Sequence, residues 1–419
     1  MLRRRHQPQA QAAREAEGGQ EAHEARRQRR GAAGGLPGRA AAGWGIGAVT
    51  GGDPAGVAHL YVHLPFCASR CGYCAFVVEV GRDDARDAYL RAVLAELARE
   101  RDVLGPLHTV YLGGGTPTLM GADRLAVLLG EMRPMLAPGA EVTVEANPET
   151  LDDRQAHALV DAGVTRVSLG AQSSRPHLLE VLDRRARPGD AERAARAVRD
   201  AGIARLSMDL MLAVPGQSSG DLAADLDWVT SQGPDHVSWY ELEFKEGSAI
   251  ARGPHAPPDD DLAADLYEQA VEGLEAAGYR WYELANFARP GAECRHSLAY
   301  WHARDYLGIG VGAVSTVGGE RRRNAPGLDR YIAALDEGAE PPRTREVVDA
   351  DTRRRERWML GTRLDEPLDI AWAGPPDNPD ALGALQARGL LERRDGTVVL
   401  TRRGRLLQNV VVQQIMDFA

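Results

Sequence analysis

The chain has 419 residues, with 60 acidic and 50 basic side chains and a formal net charge of −10. That balance argues against a dedicated nucleic-acid binder, which usually carries a strongly basic domain. No run approaches the ~18 apolar residues of a transmembrane helix, so a soluble globular protein is expected, with room for a barrel and a smaller domain.

Lys245 is the sole lysine, which makes Schiff-base chemistry a poor expectation. Three of the four cysteines, Cys67, Cys71 and Cys74, fall within eight positions. A tight odd cluster without a signal peptide points to metal or iron–sulfur ligation in a reducing compartment, with the cytoplasm as the default.

Residues 1–58 hold nine Arg against five acids and lack a sustained apolar period. With no apolar face to bury, they read as a disordered N-terminal extension or as an upstream start-site artefact. From His59 the texture becomes alternating strand and helix. Strand-like runs cover 60–64, 109–112, 141–146, 166–172, 205–211 and 236–242. Helical periods cover 85–101, 125–132, 153–162, 191–201, 222–229 and 262–277. Strict alternation implies a parallel sheet with right-handed crossovers, and six units suit a partial (β/α)6 barrel over 59–290. The chemistry of such a barrel sits at the carboxyl ends of its strands.

A connecting segment follows over 291–345, broken at Pro341-Pro342. Beyond it, 346–419 reads as helix, helix, a hairpin turning at Asp395-Gly396, and a last helix over 404–416. This resembles a winged-helix α+β domain. Between 350 and 419 there are 11 Arg and 10 acids, a net of +1, so a packing role is expected rather than DNA binding.

The strongest signal is Cys67-x3-Cys71-x2-Cys74, directly after the first strand. Three thiolates suit an iron–sulfur cube, in which one of four irons lacks a protein ligand and can take the amino and carboxylate groups of S-adenosyl-L-methionine. A Cys3His zinc site completed by His63, with a regulatory winged-helix protein around it, is the competing reading.

These residues resemble the radical S-adenosylmethionine superfamily. Gly113-Gly114-Gly115-Thr116 resembles its glycine motif for the cofactor amino group. Glu145, Gln172 and Asp209 end successive strands and Arg184 follows in the next helix; the resemblance makes them contacts for the ribose and methionine parts, where otherwise they read as rim salt-bridge partners. Tyr61 and Tyr73 match cofactor contacts in the same way.

From about Leu60 to the C-terminus the motif order is similar to the HemW-type heme chaperones, relatives of the oxygen-independent coproporphyrinogen III dehydrogenases. The dehydrogenases continue C-x3-C-x2-C with x-C, where this chain has Phe76. They also use an ordered N-terminal segment to close their site, a role for which residues 1–58 are unsuited. The chaperones carry H-N-x-x-Y-W, and this chain reads His296-Ser297-Leu298-Ala299-Tyr300-Trp301 after Cys294. The resemblance implies heme ligation by His296 with Tyr300 and Trp301, or by the Cys294 thiolate; the same residues also fit an ordinary packed cluster. Val314 stands where the family has His in G-I-G-x-G-A-H, and Leu212-Ala213-Val214-Pro215 replaces its usual Y-G-L-P.

The expected function is therefore a heme chaperone with a [4Fe-4S] cluster, S-adenosyl-L-methionine and heme, passing heme to respiratory heme proteins and touching membranes only through those recipients. The alternative is radical oxidative decarboxylation of coproporphyrinogen III.

Overall fold

The computed structural model describes residues 56–416; the expected N-terminal extension lies outside them except for its last three positions. The first strand begins at Val57, two residues before His59.

Six parallel strands form the arc: β1 (Val57–Leu64), β2 (Leu104–Gly114), β3 (Leu136–Ala146), β4 (Arg166–Gln172), β5 (Arg205–Leu212) and β6 (His236–Glu241). The intervening helices include α1 (Arg86–Arg99), Ala122–Met132, Asp153–Asp161, Asp190–Asp200 and Ser219–Gln232. Apolar residues at alternate strand positions, such as Leu60 and Val62, Val142 and Val144, or Val167 and Leu169, are buried in the core shared with those helices. Asp190–Asp200 shows the matching logic, burying Ala191, Ala194, Ala195, Ala197 and Val198. The other strand face is polar: His59, Tyr61 and His63 on β1, Thr109 and Tyr111 on β2, Glu141 and Glu145 on β3, Arg166 and Ser168 on β4.

The sheet extends beyond the expected six strands. β7 (Arg280–Glu283) and β8 (Asn286–Ala288) add antiparallel strands beyond β6, and β9 (Leu307–Ile309) pairs in parallel with β1. The order is β9-β1-β2-β3-β4-β5-β6-β8-β7, an arc with two edges. The segment over 291–345, expected to hold the heme motif and to connect, also supplies an edge strand, and within it Glu320–Asn324 pairs on one side with Val314–Val317 and on the other with Arg343–Val347 in a second sheet. Between β8 and β9 lies α2 (Arg295–Trp301).

Buried Glu96 of α1 joins these parts. Its carboxylate accepts from Arg343 Nη2 at 2.9 Å, Asn324 Nδ2 at 2.8 Å, Tyr331 Oη at 2.6 Å and the Gly310 amide at 2.8 Å. The C-terminal domain has α3 (Ala350–Gly361), Pro379–Ala387, the hairpin Leu391–Arg394/Thr397–Leu400 and two closing helices. The expected last helix is interrupted at Leu407, whose φ of −115° leaves the helical region.

Removing a partner from a buried ion pair strands the other charge, at a cost of about 3 kcal/mol. Glu96→Ala should lower unfolding stability by about that amount in a urea titration, and Glu96→Gln by less; a cost under about 1 kcal/mol would contradict this role.

Candidate functional site

The carboxyl ends of β1 and β2 are tied together by backbone bonds. Gly115 N–H donates to Leu64 O at 2.9 Å and Thr116 N–H to Phe66 O at 2.8 Å. A Cβ on Gly114 would stand 2.4 Å from the His63 ring, and one on Gly115 2.6 Å from the Pro65 carbonyl. The glycines therefore serve close packing of backbone under the cysteine loop.

That loop carries Cys67, Cys71 and Cys74, all free and partly exposed. Thr116 Oγ1 donates to Cys67 Sγ at 3.7 Å, and Arg184 Nη1 lies 3.5 Å from Cys71 Sγ. Burial pushes the Cys67 thiol up to about 11 and raises Cys74; the charges of Cys74 and Cys71 add to the first shift and that of Cys71 to the second. Among the described residues no three His, Cys, Asp or Glu side chains are grouped for a single metal ion. His63 does not complete such a site: its Nε2 is 2.8 Å from Val77 O and its Nδ1 3.1 Å from Tyr61 Oη. Three thiols near one another, with Arg184 to balance negative charge, suit a multi-iron cluster better than zinc.

Arg184 lies in the loop after Pro176–Val181 rather than in a helix. Its Nη2 donates to Asn147 Oδ1 at 2.8 Å and Gly170 O at 2.6 Å, and Asn147 Nδ2 donates to Thr116 Oγ1 at 2.9 Å. A chain of polar contacts therefore joins β2, β3 and β4 beneath the thiols. Asn147 escaped the sequence reading, although it stands two places after Glu145; nothing in its spacing separates it from a turn residue. Gln172 ends β4 with φ of +65°, a conformation that side chains rarely adopt and that recurs at functional sites.

Glu145 accepts from Tyr111 Oη at 2.8 Å and from the Gly114 amide at 3.1 Å. Burial, and then the charge of Asp209, push its carboxyl up to about 7. Asp209 is raised by burial too, and the Ser168 hydroxyl lies 3.0 and 3.1 Å from its two oxygens. Two carboxylates, an amide and a guanidinium on one rim can bind hydroxyl, ammonium and carboxylate groups. Tyr61 stacks on Tyr111 at 6.2 Å, and Tyr73 packs in an apolar cluster with Leu178, Leu182 and Met211.

The expected heme residues lie elsewhere, toward the amino ends of the strands. Arg166 and Glu141, 3% and 7% exposed, pair at 3.1 Å. Arg166 Nη2 also donates to Ala292 O and Glu293 O, and Glu141 Oε1 accepts from the His296 amide at 3.1 Å. These bonds set α2 across the barrel end. His296 is buried, its ring 5.2 Å from Tyr111, with Nδ1 2.7 Å from Thr109 Oγ1 and Nε2 2.9 Å from Tyr300 Oη. Burial pulls its pKa down to about 3 and lifts the buried Cys294 thiol to about 11. Trp301 lies under the Arg363 guanidinium at 4.4 Å.

A radical SAM superfamily model matches residues 61–229 and a HemN C-terminal domain model matches 348–407. The chain is 41% identical over 377 residues to the heme chaperone HemW of Mycobacterium tuberculosis, covering 87% of this chain and 95% of that one. The chain belongs to the HemW heme chaperone family. Family members from Synechocystis and Escherichia coli are 34% and 37% identical over 75% and 61% of this chain, and 80% and 68% of their own. The fold is similar to that of E. coli coproporphyrinogen III oxidase HemN, a radical SAM enzyme, with a TM-score of 0.76 at 23% identity over 86% of this chain and 90% of that one. Among the described residues no helix is long and apolar enough to cross a membrane.

A carboxyl raised by burial favours the protonated fold. The stability Glu145 contributes is full below about pH 4.5 and is lost as pH rises through about 7. Relative to Glu145→Gln, the wild type should lose about 1 kcal/mol or more between pH 5 and pH 8 in thermal melts. Asp209 titrates in both proteins, so parallel pH curves would contradict the assignment.

Proposed function

We propose that the chain is a cytoplasmic heme chaperone that holds a [4Fe-4S] cluster on Cys67, Cys71 and Cys74 and S-adenosyl-L-methionine on the adjoining rim, and that it passes heme to respiratory heme proteins. Any contact with membranes comes through those recipients. The observation that carries this reading is the thiol loop held directly above the polar rim of the strands, in a chain similar to heme chaperones over most of its length. The cluster and S-adenosylmethionine together supply one-electron chemistry when bound.

The chain's own residues divide the remaining work. Arg184 offsets thiolate charge at Cys71 and fixes Asn147. Glu145 and Asp209 accept from cofactor hydroxyl or ammonium groups, with Gln172 beside them; Gly113, Gly114 and Gly115 let the rim pack tightly against the loop. Tyr61 and Tyr73 fill the flanks of the same site. Phe76, 67% exposed, occupies the position where the dehydrogenase pattern has a further cysteine, which favours the chaperone over decarboxylation of coproporphyrinogen III.

His296 is the axial ligand candidate, with Cys294 second and Tyr300 and Trp301 as aromatic neighbours. Both His296 ring nitrogens are hydrogen-bonded, so iron reaches one only when the Tyr300 or Thr109 bond gives way. An anaerobic heme titration followed at the Soret band should saturate near one heme per chain and weaken at least tenfold in His296→Ala, a loss of about 1.4 kcal/mol. Unchanged binding in that variant sinks the ligand assignment. Absence of saturable binding, together with turnover of coproporphyrinogen III, sinks the chaperone reading.

A further inference from the structure

Where α2 ends, the chain turns through residues 302–305 beside α3, and a cavity of about 320 Å³ opens between them. His302, Arg304, Asp305, Arg353, Arg357 and Trp372 line it. Asp305 is the one carboxylate among these lining residues. Asp305 is shared: one oxygen lies 3.1 Å from Arg353 Nη2, and the other accepts from the Gly318 amide at 2.6 Å. His302 has its own acid in Glu366, at 3.6 Å.

Arg357 is the exception. Its Nη1 donates to Trp372 O at 2.9 Å and its guanidinium stands 5.0 Å over the Trp372 ring. Among the described residues no carboxylate pairs with it. Burial, and then the charge of Arg353, pull it below the ordinary arginine range, and an arriving anion would offset the repulsion between the two guanidinium groups. A planar donor fork beside an aromatic wall recognises a carboxylate carried on a flat apolar frame. The volume sits at the lower end for ligand sites, enough for carboxylate arms but not for a whole macrocycle.

We propose that this cavity takes the propionate carboxylates of a porphyrin, held by Arg353 and Arg357 with Trp372 against the ring edge. The proposal rests on the porphyrin-binding reading above and assigns it a second contact point, at the far end of the helix that carries His296. Asp305 competes with the ligand for Arg353, so its charge limits affinity.

The test uses the full chain and mesoporphyrin IX, which has two propionates and no iron, so ligation by His296 plays no part. Binding is followed by porphyrin fluorescence against the dimethyl ester. The acid should bind at least about tenfold more tightly than the ester. Arg357→Gln and Arg353→Gln should bring the acid down to the affinity of the ester, and Asp305→Asn, which keeps the Gly318 bond, should raise it several-fold. A packing role alone would not produce that gain, and thermal melts identify any variant that fails to fold. Equal binding of acid and ester, or equal weakening of both by the arginine variants, overturns the proposal. If succinate stabilises the wild type but not Arg357→Gln while acid and ester bind alike, the cavity serves a free dicarboxylate and the porphyrin assignment fails. Heme binding that depends on His296 without mesoporphyrin binding overturns this site alone; the reverse result keeps the site and overturns His296.

Discussion

A polar side chain turned into a barrel must find a partner there, because an unpaired buried polar group costs on the order of 1–3 kcal/mol. In this protein each strand of the arc turns such groups inward, and the architecture follows from how they are satisfied. At the amino ends, the Arg166–Glu141 pair and His236, which bonds Ser207 and Tyr282, are completed by α2 and its approach. At the carboxyl ends, Glu145, Asp209, Asn147 and Arg184 bond one another's neighbours and the thiol loop. One end is filled by the chain's own helix. The other keeps two carboxylates, Glu145 and Asp209, whose pKa values are raised by burial.

This division separates the two chemistries of the proposed function. In that proposal the cluster and S-adenosylmethionine would sit at the carboxyl rim, the end where barrel active sites lie. The residues read as heme contacts lie toward the amino ends, joined to the rim through Tyr111, which stacks on His296 and donates to Glu145, while the tail of α2, through Trp301 and His302, reaches toward the C-terminal domain. Under the proposed function, heme ligation by buried His296 requires α2 to give up the Thr109 or Tyr300 bond. Glu96 ties α1 to the second sheet and so holds β9, which flanks β1, in place.

Five of the six arc strands were legible because apolar and polar residues alternate over runs of five or more, the second from four alternating residues set between two helical periods, and their helices carry a clear apolar face. Motif positions at strand ends were legible for the same reason. β7, β8 and β9 were not: three or four residues cannot show a period, and their place is set by partners distant in sequence. The role of the glycine run was half legible, since a need for close approach is written in Gly114 and Gly115 but not what approaches. Arg184 shows the same limit. Its spacing suggests a helix, whereas its contacts with Cys71, Asn147 and Gly170 require a loop. The burial of His296 is beyond any motif, because docking of α2 depends on the Arg166–Glu141 pair more than a hundred residues earlier.

The central claim is that the thiol loop and the polar rim form one cofactor site. Anaerobic reconstitution with iron and sulfide, followed by electron paramagnetic resonance of the reduced protein with and without S-adenosylmethionine, tests it most directly. The account predicts about four irons per chain, a reduced-cluster signal that changes on adding S-adenosylmethionine, loss of the signal in Cys71→Ala, and loss of the change alone in Glu145→Ala with Asp209→Ala. Stoichiometric zinc in place of iron, or a cluster whose spectrum ignores S-adenosylmethionine, would contradict it.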